Sequence, residues 1–264
     1  MIDIGANLTD KAFRQDLDSV LVRAQQANVK HIIVTGTDLE HSQRAVDLCS
    51  EYSGYLSSTV GIHPHNASSI QNSTVQQLAQ IARNKCVVAI GETGLDYYRN
   101  FSPRLDQISA FETQLQLAVD LRIPAFIHDR DSNGELLTVL KNFPKLSAVI
   151  HCFTGSASLL QDYLQLELYI GITGWICDER RGQELYQCVN LIPDDRLLME
   201  TDSPYLLPRT MKPMPRSRRN EPAFLEHVCV ALASARGQTV EHVQQITQEN
   251  AKTLFGLDFG RLPR

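Results

Sequence analysis

Eight short apolar runs recur along the chain, separated by loops and by segments of amphipathic spacing. They read IDIGA (2–6), KHIIVTG (30–36), LSSTVGI (56–62), CVVAIGE (86–92), IPAFIH (123–128), LSAVIHC (146–152), LYIGITG (168–174) and RLLMET (196–201). Rich in Val and Ile, they are continuous rather than alternating, as strands covered on both faces are. Between the first two, Leu17, Val20, Leu21 and Ala24 recur at i, i+3, i+4 and i+7, one face of a helix. After the fourth, Ser102 is placed to cap and Pro103 to open a helix whose stripe is Leu105, Ile108, Phe111, Leu115 and Ala118. Eight strands alternating with helices over roughly 250 residues specify an α/β chain closed into a (β/α)8 TIM barrel. An open doubly wound sheet competes, but its Gly-rich phosphate fingerprint is missing after the first run. The stretch from 221 to about 255 reads as one or two closing helices. No low-complexity linker interrupts the rhythm, so residues 1–264 are expected to form a single barrel domain.

Composition narrows the function classes. Hydrophobic residues make up 43% and charged residues 21%, enough for a core of ordinary size. No apolar stretch approaches the roughly 20 residues of a membrane span. The start, MIDIGANLTD, lacks the basic and apolar regions of a signal peptide, so a cytoplasmic protein without a membrane partner is expected. Six scattered cysteines without a CxxC pair read as reduced thiols. Cys152 follows His151, but no spacing offers it a base, so it reads as core rather than nucleophile. A net charge of −5 argues against coating long nucleic acid; an enzyme acting on nucleic-acid ends through a local basic patch is still compatible.

A barrel of this kind carries its chemistry where strands end and loops begin. The third run continues into GIHPH, with His63 and His65; the fourth into GETGLD, with Glu92 and Asp96. The fifth ends at His128, the sixth at His151, and the eighth leads into ETDSPY, with Glu200 and Asp202. Alone, each has a plain explanation: a strand-end histidine is often a hydrogen-bonded loop residue, and a carboxylate often caps the next helix. Together, Glu92, His128, His151 and Asp202 offer two imidazoles and two carboxylates, a mixed N/O set suited to Mg2+, Mn2+ or Zn2+. Such a centre would activate water and polarise the bond under attack. Asp202 is expected to take the proton while sharing in coordination, and His63 to face the leaving group or phosphate. The reaction class is metal-assisted hydrolysis.

The loop PRTMKPMPRSRRNEP carries Arg209, Lys212, Arg216, Arg218 and Arg219 with no acid before Glu221. It is either a phosphate-holding rim or a solvated Pro-rich loop. Tyr97, Tyr98, Phe101, Phe153, Trp175 and Tyr205 follow the same strands; most are expected to pack, while one or two exposed rings would stack unpaired bases. Single-stranded DNA or RNA ends are the expected substrate, with His65, Arg130, Trp175, Arg218 and Arg219 as candidate contacts.

GIHPH, AIGETGLDYYRNFS, FIHDRD, HCFTGS, GITGWICDERRG, ETDSPYLLPR and SRRNEPA span nearly the whole chain. In these stretches the sequence resembles the TatD-type metal-dependent deoxyribonuclease family, and most closely its namesake member. The resemblance implies a (β/α)8 barrel of the metal-dependent hydrolase type and a divalent-metal nuclease, usually Mg2+-dependent. It further implies a 3′-to-5′ exonuclease on single-stranded DNA and RNA, linked to DNA repair, with metal ligands falling on Glu92, His128, His151 and Asp202. One departure matters. Most members of the wider family follow an Asp of the first strand with a His-x-His pair that binds a second metal. Here DIGANL keeps Asp3 but has Gly5 and Asn7 at those places. Glycine offers no ligand and an amide oxygen a weak one, so one firmly held ion is expected. Any second site at Asp3 and Asn7 would be weak or filled only with substrate. The namesake also lacks the pair, so its loss is compatible with activity. A monomer is expected. The competing readings are a metal hydrolase of small C–N or ester substrates and a non-catalytic nucleic-acid-binding barrel; the retained ligand set disfavours the latter.

Overall fold

In the computed structural model, which describes residues 1–258, every apolar run contains a strand. These are β1 (Ile2–Ala6), β2 (His31–Val34), β3 (Leu56–Val60), β4 (Val87–Asp96), β5 (Ala125–Arg130), β6 (Ala148–His151), β7 (Tyr169–Ile172) and β8 (Leu197–Met199). They pair in parallel in sequence order. The crossovers hold helices α1 (Leu17–Gln26), α2 (Leu39–Glu51), α3 (Asn72–Ile81), α4 (Arg104–Leu121), α5 (Glu135–Leu140), α6 (Ala157–Gln165) and α7 (Gln183–Cys188). The expected closing helices are α8 (Leu225–Arg236) and α9 (Val240–Phe255). Parallel strands have two faces to bury. Ile2, Ile4, Ile33, Val88, Ala89, Phe126, Val149 and Leu198 form one cluster, with Leu254 and Phe255 of α9 packed on it. The other faces meet the helices in a second, larger cluster. No described helix is long and apolar enough to cross a membrane. The last residues of the expected domain, 259–264, lie outside the described residues.

Closure between β8 and β1 comes from the segment just past β8. Ala6 bridges to Ser203. The Asn7 N–H donates to the Ser203 carbonyl at 2.7 Å and the Asp202 N–H to the Gly5 carbonyl at 2.8 Å. The buried Asp3 carboxylate adds a side-chain stitch, accepting from the Thr201 N–H at 2.9 Å, the Thr201 hydroxyl at 2.6 Å and the Gly5 N–H at 3.3 Å.

Helix α4 departs from the expected pattern. Pro103, not Ser102, stands at the cap position, and the Ser102 hydroxyl instead donates to the His65 carbonyl at 2.9 Å. Leu105 is 80% exposed, whereas Gln107 and Gln114 are buried. The reason is the backbone that α4 covers. The β4–β5 ladder is interrupted between Ile90 and Thr93. There Gly91 has φ +144°, and a Cβ on it would fall 2.1 Å from the Phe126 carbonyl oxygen, so glycine is required. Backbone freed from the ladder needs other partners. Gln114 accepts from the Ile62 N–H at 2.7 Å and donates to the Ile62 carbonyl at 3.0 Å and the Thr93 hydroxyl at 2.8 Å. Gln107 accepts from the Asp96 N–H at 2.8 Å and donates to the Ser102 carbonyl at 2.8 Å. Two amides of one helix thus fix the strand ends that carry His63, Glu92 and Asp96.

Gln114→Leu keeps the volume but leaves the Ile62 N–H and carbonyl without their partner, so the chain should lose about 2–4 kcal/mol. Urea unfolding of parent and variant measures it. An unchanged midpoint would remove Gln114 from this role.

Candidate active site

The end of β3 turns sharply through Pro64 into a short 3-10 helix, Pro64–Ser69. The His65 N–H donates to His63 Nδ1 at 3.1 Å. With Nδ1 an acceptor, the neutral His63 ring carries its proton on Nε2, which stands 3.2 Å from Glu92 Oε1. Two more rings meet the same oxygen. His128 Nδ1 lies at 3.1 Å and His151 Nε2 at 2.8 Å. Behind the rings stand further carboxylates. Asp96 Oδ2 is 2.7 Å from His65 Nε2 and 3.6 Å from His128 Nε2, and Glu200 Oε2 is 3.4 Å from His151 Nδ1. At 3.6 Å, His128 Nε2 makes no hydrogen bond, although it is buried. Strands β3, β4, β5 and β6, far apart in sequence, therefore converge on one carboxylate oxygen.

The charges follow from the geometry. Burial pushes the Glu92 carboxyl up, but the imidazoles of His63, His151 and His128 outweigh it and hold it well below the usual carboxylate range. Burial lowers His128, and the carboxylates of Asp96 and Glu92 outweigh it, lifting the ring to about 8. His151 is likewise lifted well above its usual value by Glu92 and Glu200 against burial, whereas burial prevails at His63 and lowers it. Asp202 is pushed up to about 7 by burial, opposed by His151 and reinforced by Glu92 and Glu200. Burial, followed by Asp202 and Glu200, pushes the Cys152 thiol well up, which suits a core thiol better than a nucleophile.

The donor set fits a cation. One nitrogen each of His63 and His128 and one Glu92 oxygen lie within 4.8 Å of one another, so a shift of a few tenths of an ångström brings them within the roughly 4.4 Å that two bonds of about 2.2 Å span. His63 keeps its Nε2 proton and is built to donate. His151 turns Nε2 toward Glu92 and Nδ1 toward Glu200, the arrangement that supports a metal-ligating histidine, and His128 turns Nδ1 toward Glu92 with its buried Nε2 3.6 Å from Asp96. Asp202 lies beyond β8, one oxygen held by the Asn7 amide at 2.9 Å, near enough to His151 and Glu92 for their charges to act on its carboxyl.

The structure gives other expected residues different partners. The Asp3 carboxylate accepts from Thr201 and Gly5, and the Asn7 amide nitrogen donates to Asp202. Arg219 turns inward, donating to Asp16 at 2.8 Å, Glu221 at 2.7 Å and the Ala12 carbonyl at 2.5 Å. Arg209 lies 3.3 Å from the buried carboxylate of Asp178. Arg218 is exposed. The Arg130 guanidinium lies over Tyr98 at 4.5 Å, Arg181 over Trp175 at 4.5 Å, and His65 stands against Phe101 at 4.7 Å. Tyr98 is 62%, Phe101 66% and Tyr205 54% exposed, whereas Tyr97 and Phe153 are buried. Asp96 and Glu200 were visible in the sequence as strand-end acids, but no spacing marked them as partners of His128 and His151.

A family model described as TatD related DNase matches residues 2–256. The curated "3'-5' ssDNA/RNA exonuclease TatD" of Klebsiella pneumoniae is 50% identical over 260 residues, 98% of each chain. The protein of the same name from Erwinia amylovora is 49% identical over 259 residues, 97% of this chain and 100% of its own. A solved TatD homologue from Escherichia coli K12 superposes with a TM-score of 0.88 at 28% identity, covering 98% of both chains. A TatD-family hydrolase from Entamoeba histolytica does so at 0.88 and 28%, covering 97% of this chain and 98% of its own.

In metal-free protein, NMR titration of the His128 ring should give a midpoint near 8, above the ordinary ~6.5. Glu92→Gln removes one of the carboxylates that raise it, so the midpoint should fall. An unmoved midpoint would mean that the two groups are not coupled.

Proposed function

The chain belongs to the TatD-related DNase family, and from that membership we propose that it is a divalent-metal-dependent exonuclease shortening single-stranded DNA or RNA from the 3′ end. The observation that carries the metal dependence is the meeting of three imidazoles on one buried oxygen, Glu92 Oε1, within 3.2 Å. Glu92, His128, His151 and Asp202 would hold the cation, Mg2+ first and Mn2+ or Zn2+ as alternatives. When bound it supplies a Lewis acid that lowers the pKa of water and neutralises phosphate charge.

The chain's own groups divide the remaining work. Asp202, raised to about 7, is poised to accept a proton near neutral pH. Asn7 fixes one of its oxygens at 2.9 Å and leaves the other to the attacking water. His63, its proton on Nε2, donates to a phosphate or leaving-group oxygen. On the rim, Arg218 is free for phosphate, and His65 and Arg130 stand beside the exposed rings of Phe101 and Tyr98. Those two rings and Trp175 suit stacking of unpaired bases. Arg219 braces the loop through Asp16 and Glu221 rather than reaching substrate. The same reading takes residues 1–264 as one barrel domain, monomeric and cytoplasmic, acting in DNA repair.

Metal-stripped protein is incubated with a single-stranded oligonucleotide labelled at its 5′ end, with and without Mg2+ or Mn2+. A metal-dependent ladder of shortened, still-labelled strands is expected; a substrate left intact under every metal overturns the proposal. Glu92→Ala should abolish the ladder. Arg218→Ala should weaken binding and reduce the salt slope by about 1, while Arg219→Ala should lower the thermal midpoint instead. An unchanged slope in Arg218→Ala would take that arginine out of the interface.

A further inference from the structure

Glu200 follows β8 directly and is wholly buried. Its Oε1 accepts from the Cys152 N–H at 2.6 Å, and its Oε2 stands 3.4 Å from His151 Nδ1. Two glycines make the room for it. A Cβ on Gly5 would fall 2.3 Å from Glu200 Oε2, and a Cβ on Gly171 would fall 2.8 Å from Oε1. A side chain at position 5 would therefore meet the Glu200 carboxylate first and the Phe126 ring, 2.9 Å from that Cβ, next. Gly5 is also the place where the sequence lacks a ligand for a second metal.

We propose that Glu200 is the positioning residue of the metal centre, and that Gly5 is glycine because this carboxylate fills the space a side chain would take. The proposal rests on the metal-dependent reading above and names what orients its buried histidine. A ring with two nitrogens presents a lone pair on one only when its proton is held on the other. Both nitrogens face carboxylates, Nε2 toward Glu92 at 2.8 Å and Nδ1 toward Glu200 at 3.4 Å; when a cation takes the place of the Nε2 proton, the Nδ1 proton stays with Glu200. Phe126 packs against the same ring at 4.6 Å between centroids, so the imidazole cannot swing away from that partner. Glu200 also sets the backbone beyond the ring. Cys152 has φ +48°, a region that side chains disfavour, and its N–H is tied to Oε1 at 2.6 Å. Glu200 thus faces the ring's Nδ1 and ties the backbone beyond it, while Phe126 covers the ring's plane.

The test reads Mn2+ affinity of the full chain by calorimetry, not turnover. Glu200→Gln should weaken Mn2+ binding about 10- to 100-fold, because its single carbonyl oxygen cannot accept from both His151 and Cys152. Gly5→Ala should weaken it in the same direction, although neither glycine nor alanine carries a ligand atom. In a Glu200→Ala background, Gly5→Ala should cost less affinity than it does in the parent, since the carboxylate it displaces is gone and only the Phe126 ring, 2.9 Å from that Cβ, is still met. Folded Glu200→Gln and Gly5→Ala proteins that bind Mn2+ like the parent overturn the proposal alone, as do losses that simply multiply in the double variant. A parent that takes up no Mn2+ overturns the metal reading and this proposal with it. Should the variants not fold, long-range proton–nitrogen NMR of the Zn2+-loaded parent decides. An Nδ1 proton on His151 that is protected from exchange and shifted downfield, as a carboxylate hydrogen bond makes it, supports the proposal; an Nδ1 proton exchanging like that of a solvated imidazole, or a proton at Nε2, refutes it.

Discussion

A buried carboxylate surrounded by imidazoles is the interaction on which the barrel mouth depends. Removing Glu92 from water is unfavourable unless its charge is matched at short range; His128 and His151 match it, and His63 presents its Nε2 to the same oxygen. That match demands precise backbone. It is met where the β4–β5 ladder breaks, at a glycine that no other residue can replace, under a helix that contributes two buried amides instead of two leucines. The outer acids serve the same end, since Asp96 and Glu200 face the far sides of the rings.

The rim is organised on a different principle. In a chain of net charge −5, many of the loop arginines are spent internally. Asp178 draws in Arg181 and Arg209 and so ties the loop after β7 to the loop after β8. Arg219, Asp16, Arg23 and Glu221 form a second knot that fastens the long basic loop to the start of the chain. Exposed cations and exposed rings then stand side by side on loops that these ion pairs tie together. Such a surface can follow a flexible strand by charge and stacking without reading its sequence.

The strands were legible because a buried parallel strand must be apolar without interruption, and that pattern has few other readings. The strand-end acids and histidines were legible for the same reason, as polar residues placed where the pattern stops. What could not be read were relations between elements. Leu105 sits on the expected stripe, yet Gln107 and Gln114 take the inner face because irregular strand ends need hydrogen-bond partners. Arg219 looks like its neighbour Arg218 until Asp16, distant in sequence, comes to meet it. Gly5 reads as a missing ligand; only in three dimensions is it the space that Glu200 occupies.

The most direct measurement is anomalous diffraction from crystals of the protein soaked in Mn2+. The account predicts one strong peak among Glu92, His128, His151 and Asp202, with Glu200 lying behind His151. No peak there, or a second peak of equal height between Asp3 and Asn7, would contradict it.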